Sequence, residues 1–171
     1  MKLSLAIATL GVAMASVGCG DTGTAIRVVE GDGYFAIVSG GRVSQRPKID
    51  PPNRPPPKKV VFRDIEVGSG PMAHHGDRVS VHYVGFNYRT GKEQYPGRWP
   101  PDDPLVFSLG SHYVALSWEE ALKGMREGGR REMIIPSRLL FSTGTIDYIV
   151  DMVAVKPAKS HKAAISSGDS A

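Results

Sequence analysis

Residues 117–126 read "SWEEALKGMR", the strongest helix signal in the second half of a chain otherwise full of strand-like runs. Ser117 followed three residues later by Glu120 reads as a capping box, a polar pair that satisfies free N–H groups at a helix start. Trp118, Ala121, Leu122 and Met125 recur at i, i+3, i+4 and i+7 and make one apolar stripe. Glu119 and Glu120 place negative charge near the positive end of the helix dipole. Gly128-Gly129 closes the stretch.

The flanking runs have a different period. In "RVSVHYVGF" (78–86), Val79, Val81 and Tyr83 fall on one face, with Ser80 and His82 on the other. "TIDYIVDMVAV" (145–155) alternates Ile146, Tyr148, Val150 and Met152 against Asp147 and Asp151. "VVFRDIEVG" (60–68), "PLVFSLG" (104–110) and "GRREMIIP" (129–136) supply further strands. No long helix separates these runs, which argues for antiparallel pairing. A sheet with one apolar face and a helix with one apolar stripe bury each other. The predicted fold class is therefore α+β, an antiparallel β-sheet curled around one short α-helix over residues 60–155. Trp118 then stands at the helix start, inside the curve, where it can floor a cavity.

The bulk numbers agree with one domain plus extras. The chain has 171 residues, 41% of them hydrophobic, enough to bury a real core. A net charge of +4 comes with no dense Lys/Arg block, so nucleic acid is not an expected partner. Cys19 is the single cysteine, which excludes an internal disulfide and a Cys-based zinc site. His74 and His75 are adjacent and cannot share a face, and His82, His112 and His161 are scattered, so no metal is expected. No cofactor motif is present, and no Ser/His/Asp arrangement has a recognisable local motif. Asp102 and Asp103 read as a solvated loop.

The N-terminal residues read as an address. Lys2 precedes "LSLAIATLGVAMASVG", which is short for a membrane span of ~20 residues and fits an export signal over residues 1–18. "SVGC", ending at Cys19, resembles a bacterial lipobox, although Ser16 stands where Leu is usual. Ala13-Met14-Ala15 offers an A-x-A cut as well, so the expectation is export, with attachment to the extracytoplasmic side of a membrane through a lipid on Cys19 favoured over simple secretion. Residues 19–47 contain short strand-like pieces, "TAIRVVE", "YFAIVS" and "GRVSQ", which either dock on the domain or stay loose. "KIDPPNRPPPKK" (48–59) carries five prolines and reads as an extended tether, ~3.1 Å per residue and about 35 Å in all. The tail from 156 to 171 is polar and expected to be disordered.

The segments "VSVHYVGF", "GKEQY", "PLVFSLG", "WEEALKGMREGGRREMIIP" and "YIVDMVAV" resemble, in order and spacing, the FKBP-type peptidyl-prolyl cis-trans isomerases. The leader and tether resemble exported bacterial lipoprotein members. The resemblance implies an FKBP-like fold and isomerisation of the bond before proline in polypeptides, here in the folding of exported proteins. It also implies a monomer that takes proline-containing polypeptides and no cofactor.

By position, the resemblance assigns Tyr83 to the pocket with its hydroxyl offered to a carbonyl, Trp118 to the floor, and Phe107 and Leu105 to an apolar wall. Val114 and Ala115 fall on the loop before the helix, where the family binds ligand. Tyr95, Phe141 and Tyr148 complete the substrate-binding set. Read without the resemblance, Trp118, Phe107 and Tyr148 are ordinary core residues. Several positions depart from the family. Phe141 replaces a usual Tyr, Tyr148 a usual Phe, and Ala115 a larger aliphatic. Pro96 falls where the family carries Asp, and "FSTGTIDY" crosses in a few residues what is usually a long flap. A wider, wetter pocket and weak catalysis are expected, or a non-catalytic, chaperone-like polypeptide-binding module on the same fold.

Overall fold

The computed structural model describes residues 33–39, 45–140 and 142–159. The expected leader, Cys19, Phe141 and the tail from residue 160 lie outside the described residues. The strands are β1 (Ile37–Ser39), β2 (Lys48–Asp50), β3 (Val61–Glu66), β4 (Arg78–Asn87), β5 (Glu93–Arg98), β6 (Leu105–Ser108), β7 (Arg130–Ile135) and β8 (Ile146–Lys156). One α-helix, α1 (Leu116–Leu122), and a 3-10 turn at Ser137–Leu139 complete the described elements.

The main sheet runs β3-β7-β8-β4-β5, with every pairing antiparallel. The far side of β4 is shared. Its first half pairs with β6 (Val79↔Phe107, Val81↔Leu105) and its second half with β5 (Tyr83↔Arg98, Gly85↔Tyr95). The alternation read from the sequence sets the inner face. Val79 and Val81, Met133 and Ile135, and Ile146, Val150 and Met152 pack in one core with Trp118, Ala121 and Leu122 of α1. Met125 joins that core from beyond the helix, because α1 ends at Leu122 and Gly124 turns the chain at φ 75°.

The capping box does not form. The helix begins two residues earlier than the motif requires, with Ala115 at the N-cap and no side-chain cap. Ser117 therefore lies within the first turn, and its hydroxyl donates to the Leu139 carbonyl at 3.0 Å. Glu120 pairs with Lys123 instead of reaching back. Two buried charges hold the helix, one of its own and one from β7. Glu119 accepts the His112 N–H at 2.9 Å, tying the preceding loop to the first turn, and His112 sits at φ 58°. Arg131 of β7 donates to the carbonyls of Ala121 (2.7 Å) and Lys123 (3.1 Å), satisfying acceptors that a helix end leaves open. Its other nitrogens form a fork with Asp64.

The outer face of the sheet is polar by sequence, yet it is covered. Tyr34, Phe35 and Ala36 and the β1–β2 pair lie across it. Ala36 and Ile49 join Val84, Phe86, Trp99 and Ile149 in a second apolar cluster. Tyr34 and Phe35 pack against Val61, Tyr88 and Ile134. The open question about the N-terminal pieces is thus answered for residues 33–39, which dock. The expected tether needs a correction at its start, because Lys48–Asp50 is strand β2, paired with β1. Ile49 is apolar and precedes the first proline, so nothing prevents a short ladder there. Further along the same run Pro57 is buried, and Arg138 donates to the Lys58 carbonyl.

Covering this face buries charge; Arg130 and Glu132 find partners there, while neither carboxyl oxygen of the buried Asp147 has a hydrogen-bond partner. Arg130, fully buried, forks onto Asp151 at 2.6 and 2.8 Å, reaches the Gln45 carbonyl and lies 5.3 Å over the Trp99 ring. Glu132 accepts from the Ala36 N–H (2.8 Å) and from Arg63 (2.7 Å). Deleting one member of such a pair costs ~3–5 kcal/mol, because the other is left charged and dry.

Candidate active site

A cavity of about 230 Å³ opens on the inner side of the sheet, lined by Tyr83, Leu105, Val114, Ala115, Trp118, Leu140 and Tyr148. Its floor is the Trp118 indole, 5% exposed. Two phenol rings stand edge-on to that indole. Tyr83 is 5.1 Å away at 80° and Tyr148 is 5.4 Å away at 89°, both favourable for aromatic quadrupoles. Trp118 is held by its backbone as well, since its N–H donates to the Ala115 carbonyl at 2.8 Å. The floor is thus fixed by the helix start, and the walls by β4, β6, β8 and the loop that Glu119 anchors.

Six sequence-predicted residues border this one space: Tyr83, Leu105, Val114, Ala115, Trp118 and Tyr148. Phe107, expected in the wall, does not line it. Along β6, Leu105 stands opposite Val81 and Phe107 opposite Val79, so Phe107 is one inward step farther from Tyr83. It backs the indole from 6.4 Å and stacks on Tyr113 at 6.2 Å. Tyr95 also stands outside the lining and stacks on Tyr148 at 6.2 Å. Leu140 was not foreseen. The signal for it was the short crossing after β7, whose apolar residue must close that side of any cavity over Trp118.

The strand that carries Tyr95 was not foreseen either. β5 contains Pro96 and Gly97, residues that depress a strand signal. The pairing tolerates them through register shifts around Tyr83, Gly85 and Phe86. Gly97, at φ 64°, lets β5 approach closely. A Cβ there would lie 1.9 Å from the Tyr83 carbonyl oxygen.

The chemistry available is neutral. The lining side chains that carry polar atoms are Tyr83, Trp118 and Tyr148, and none of the lining residues is ionised near pH 7. Burial, and then the neighbouring phenols of Tyr95 and Tyr83, push the Tyr148 hydroxyl above the ordinary tyrosine range, so it remains a protonated donor. Among the described residues no group of three or more His, Cys, Asp or Glu side chains is placed to hold a metal ion.

The comparisons agree with this geometry. A sequence profile for the FKBP-type peptidyl-prolyl cis-trans isomerase family matches residues 70–155. An FK506-binding protein of Streptomyces anulatus is 38% identical over 122 residues, covering 65% of this chain and 98% of that protein. A probable FK506-binding protein of Corynebacterium glutamicum is 33% identical over 119 residues, covering 64% of this chain and 98% of its own. The crystal structure of FkpA from Escherichia coli superposes with a TM-score of 0.51 at 29% identity, over 58% of this chain and 49% of that one. The fold, the aromatic cavity and these relationships together place the chain in the FKBP-type peptidyl-prolyl cis-trans isomerase family, as an enzyme that rotates the peptide bond preceding proline.

Proposed function

We propose that the cavity over Trp118 is where that rotation occurs, on proline-containing polypeptides outside the cytoplasm. The observation that carries the site is an indole floor flanked edge-on by Tyr83 and Tyr148 in a cavity without ionised lining. Amide resonance sets a barrier of ~18–20 kcal/mol to rotation, and the uncatalysed event takes tens to hundreds of seconds. No nucleophile, acid or metal is needed to lower it. A site need only bind the twisted amide better than the planar one. The twisted amide has lost resonance, so its carbonyl depends less on surrounding water. A pocket that grips the prolyl ring on an indole and replaces bulk water favours it. A ten-thousand-fold gain corresponds to about 5.5 kcal/mol of such preference.

The cavity is small beside the roughly 300–1,000 Å³ of pockets that enclose drug-sized ligands. That supports a site for one ring and its flanking backbone. The short crossing from Leu140 to Ile146 offers little cover, which supports modest turnover. Refolding of a proline-limited protein is the test of the site. We expect acceleration by the native chain and at least a tenfold loss of it in Trp118→Ala, with the far-ultraviolet dichroism of the fold retained. Equal acceleration by both proteins would remove catalysis from this cavity.

Export and lipid anchoring through Cys19 rest on the sequence of the leader. Incorporation of labelled palmitate into the native chain, and its loss in Cys19→Ser, is the expected result. Equal labelling of both, or of neither, would leave the anchor without support.

A further inference from the structure

Tyr148 occupies an unusual position for a residue on β8. Its ring is part of the buried core. It lies across β4, over Gly85, the residue opposite it in the ladder. A Cβ at Gly85 would come within 2.8 Å of Tyr148 Cε1 and 3.1 Å of Cδ1, so the ring rests directly on the glycine backbone. Gly85 is also the ladder partner of Tyr95 on β5, and the Tyr95 ring stacks on the outer side of Tyr148 at 6.2 Å and 26°. Trp118 fixes the other side, edge-on at 5.4 Å. The phenol is therefore clamped by a glycine beneath, an indole on one side and a second phenol on the other.

Such a clamp removes rotamer freedom before any ligand arrives. It also directs the ring from β8 across β4 toward β5, along the wall of the cavity that Tyr148 lines. Leu105, Val114, Ala115 and Leu140 bring only apolar side chains to that lining. Among the described residues Tyr83 and Tyr148 are its only phenols, side by side against Trp118 with centroids 6.4 Å apart. A peptide bent around a prolyl ring presents carbonyls on both sides of that ring. One phenol can hold a carbonyl on one side, and among the described lining residues only the second phenol offers a side-chain hydroxyl for the other.

Resting on the proposed site over Trp118, we infer that Tyr148 is a substrate-anchoring residue whose hydroxyl donates to a backbone carbonyl flanking the rotating bond, and that Gly85 and Tyr95 position it. The carbonyl it holds does not belong to the rotating amide. A donor there would strengthen the resonance that rotation must break. The contact is made equally with planar and twisted substrate, so its signature is in affinity and not in turnover. The preferred substrate is a polypeptide with an unhindered amide carbonyl next to the prolyl residue.

The test is Tyr148→Phe, which keeps the ring and its packing and removes only the hydroxyl. KM for a proline-containing tetrapeptide anilide, and Kd for the same peptide from the quenching of tryptophan fluorescence, should rise about 3- to 10-fold, the range for one neutral hydrogen bond. The turnover number should stay within about twofold. A peptide whose amide after proline is replaced by an ester, a weaker acceptor, should bind the native protein less tightly and should not distinguish it from Tyr148→Phe. Unchanged KM and Kd in Tyr148→Phe, alongside lost activity in Trp118→Ala, would overturn the anchor and leave the site standing. A fall in turnover at constant affinity would overturn it as well. If the native chain binds no such peptide, the site and the anchor fall together.

Discussion

At the scale of single residues, the account turns on which side chains the backbone allows to meet. Gly85 is the sharpest case. Its missing side chain is what lets Tyr148 lie across β4. Gly85→Ala should push that ring from its place and crowd Ile146 Cγ2, which a new Cβ would meet at 3.2 Å. We expect ~1–3 kcal/mol of destabilisation, as in other overpacked sites, read from urea unfolding. We also expect the raised KM of Tyr148→Phe, read from the tetrapeptide assay. Native stability and native KM would refute the clamp. The sequence discloses Tyr83, Trp118 and Tyr148 because strand and helix periods both turn them inward. It does not disclose Gly85. A glycine that makes room for a ring on another strand is visible only once the ladder register is known. Phe107 and Tyr95, assigned to the site by the resemblance alone, stand behind lining residues and not among them.

At the scale of elements, the helix and β7 show how buried charge replaces local signals. The Ser117–Glu120 spacing is a sound motif, but the chain enters the helix at Ala115 and the motif falls inside it. What secures α1 is Arg131 at its end and Glu119 at its start, both supplied with partners distant in sequence or in the loop. The outer side of β7 and β8 supports a pH prediction. Asp147 is fully buried beside Glu132 and Tyr88, with Arg63 facing them from β3. Burial, and then the Glu132 charge, hold the Asp147 carboxyl well above the usual carboxylate range, which favours its protonated form. Burial and the same Asp147 push the Tyr88 hydroxyl up to about 12. The folded state thus retains a proton that the unfolded chain releases. The associated stability is fully present below the ordinary carboxylate pKa and declines as pH rises toward the folded value. Asp147→Asn should flatten that decline and leave the protein more stable than the native chain at neutral and alkaline pH, as read from urea midpoints across a pH series. Parallel pH profiles for the two proteins would contradict a protonated Asp147. None of this was legible from alternation alone, which marks the outer face as polar and is silent about what covers it.

At the scale of the whole molecule, the sheet is closed on one side and open on the other. The N-terminal residues 33–39 and β2 seal the outer face, so the cavity over Trp118 is reached from the inner side. Large exposed apolar groups stand next to its lining in the chain: Tyr113 before Val114, Leu116 after Ala115, and Leu139 before Leu140. Exposed apolar groups beside a cavity suit contact with an extended, unfolded polypeptide. The fold class and the inner face could be read in the sequence because period-2 strands around one period-3.6 helix admit few arrangements. The second apolar layer could not, since the pieces that form it are short and make sense only against the sheet they cover. The most direct measurement of the account is an intermolecular nuclear Overhauser experiment with a proline-containing peptide exchanging between cis and trans. The account predicts accelerated exchange, with cross-peaks from the prolyl ring methylenes to the Trp118 indole and to the ring protons of Tyr83 and Tyr148. Accelerated exchange with the prolyl ring in contact with any other surface, and none of these three rings, would contradict it.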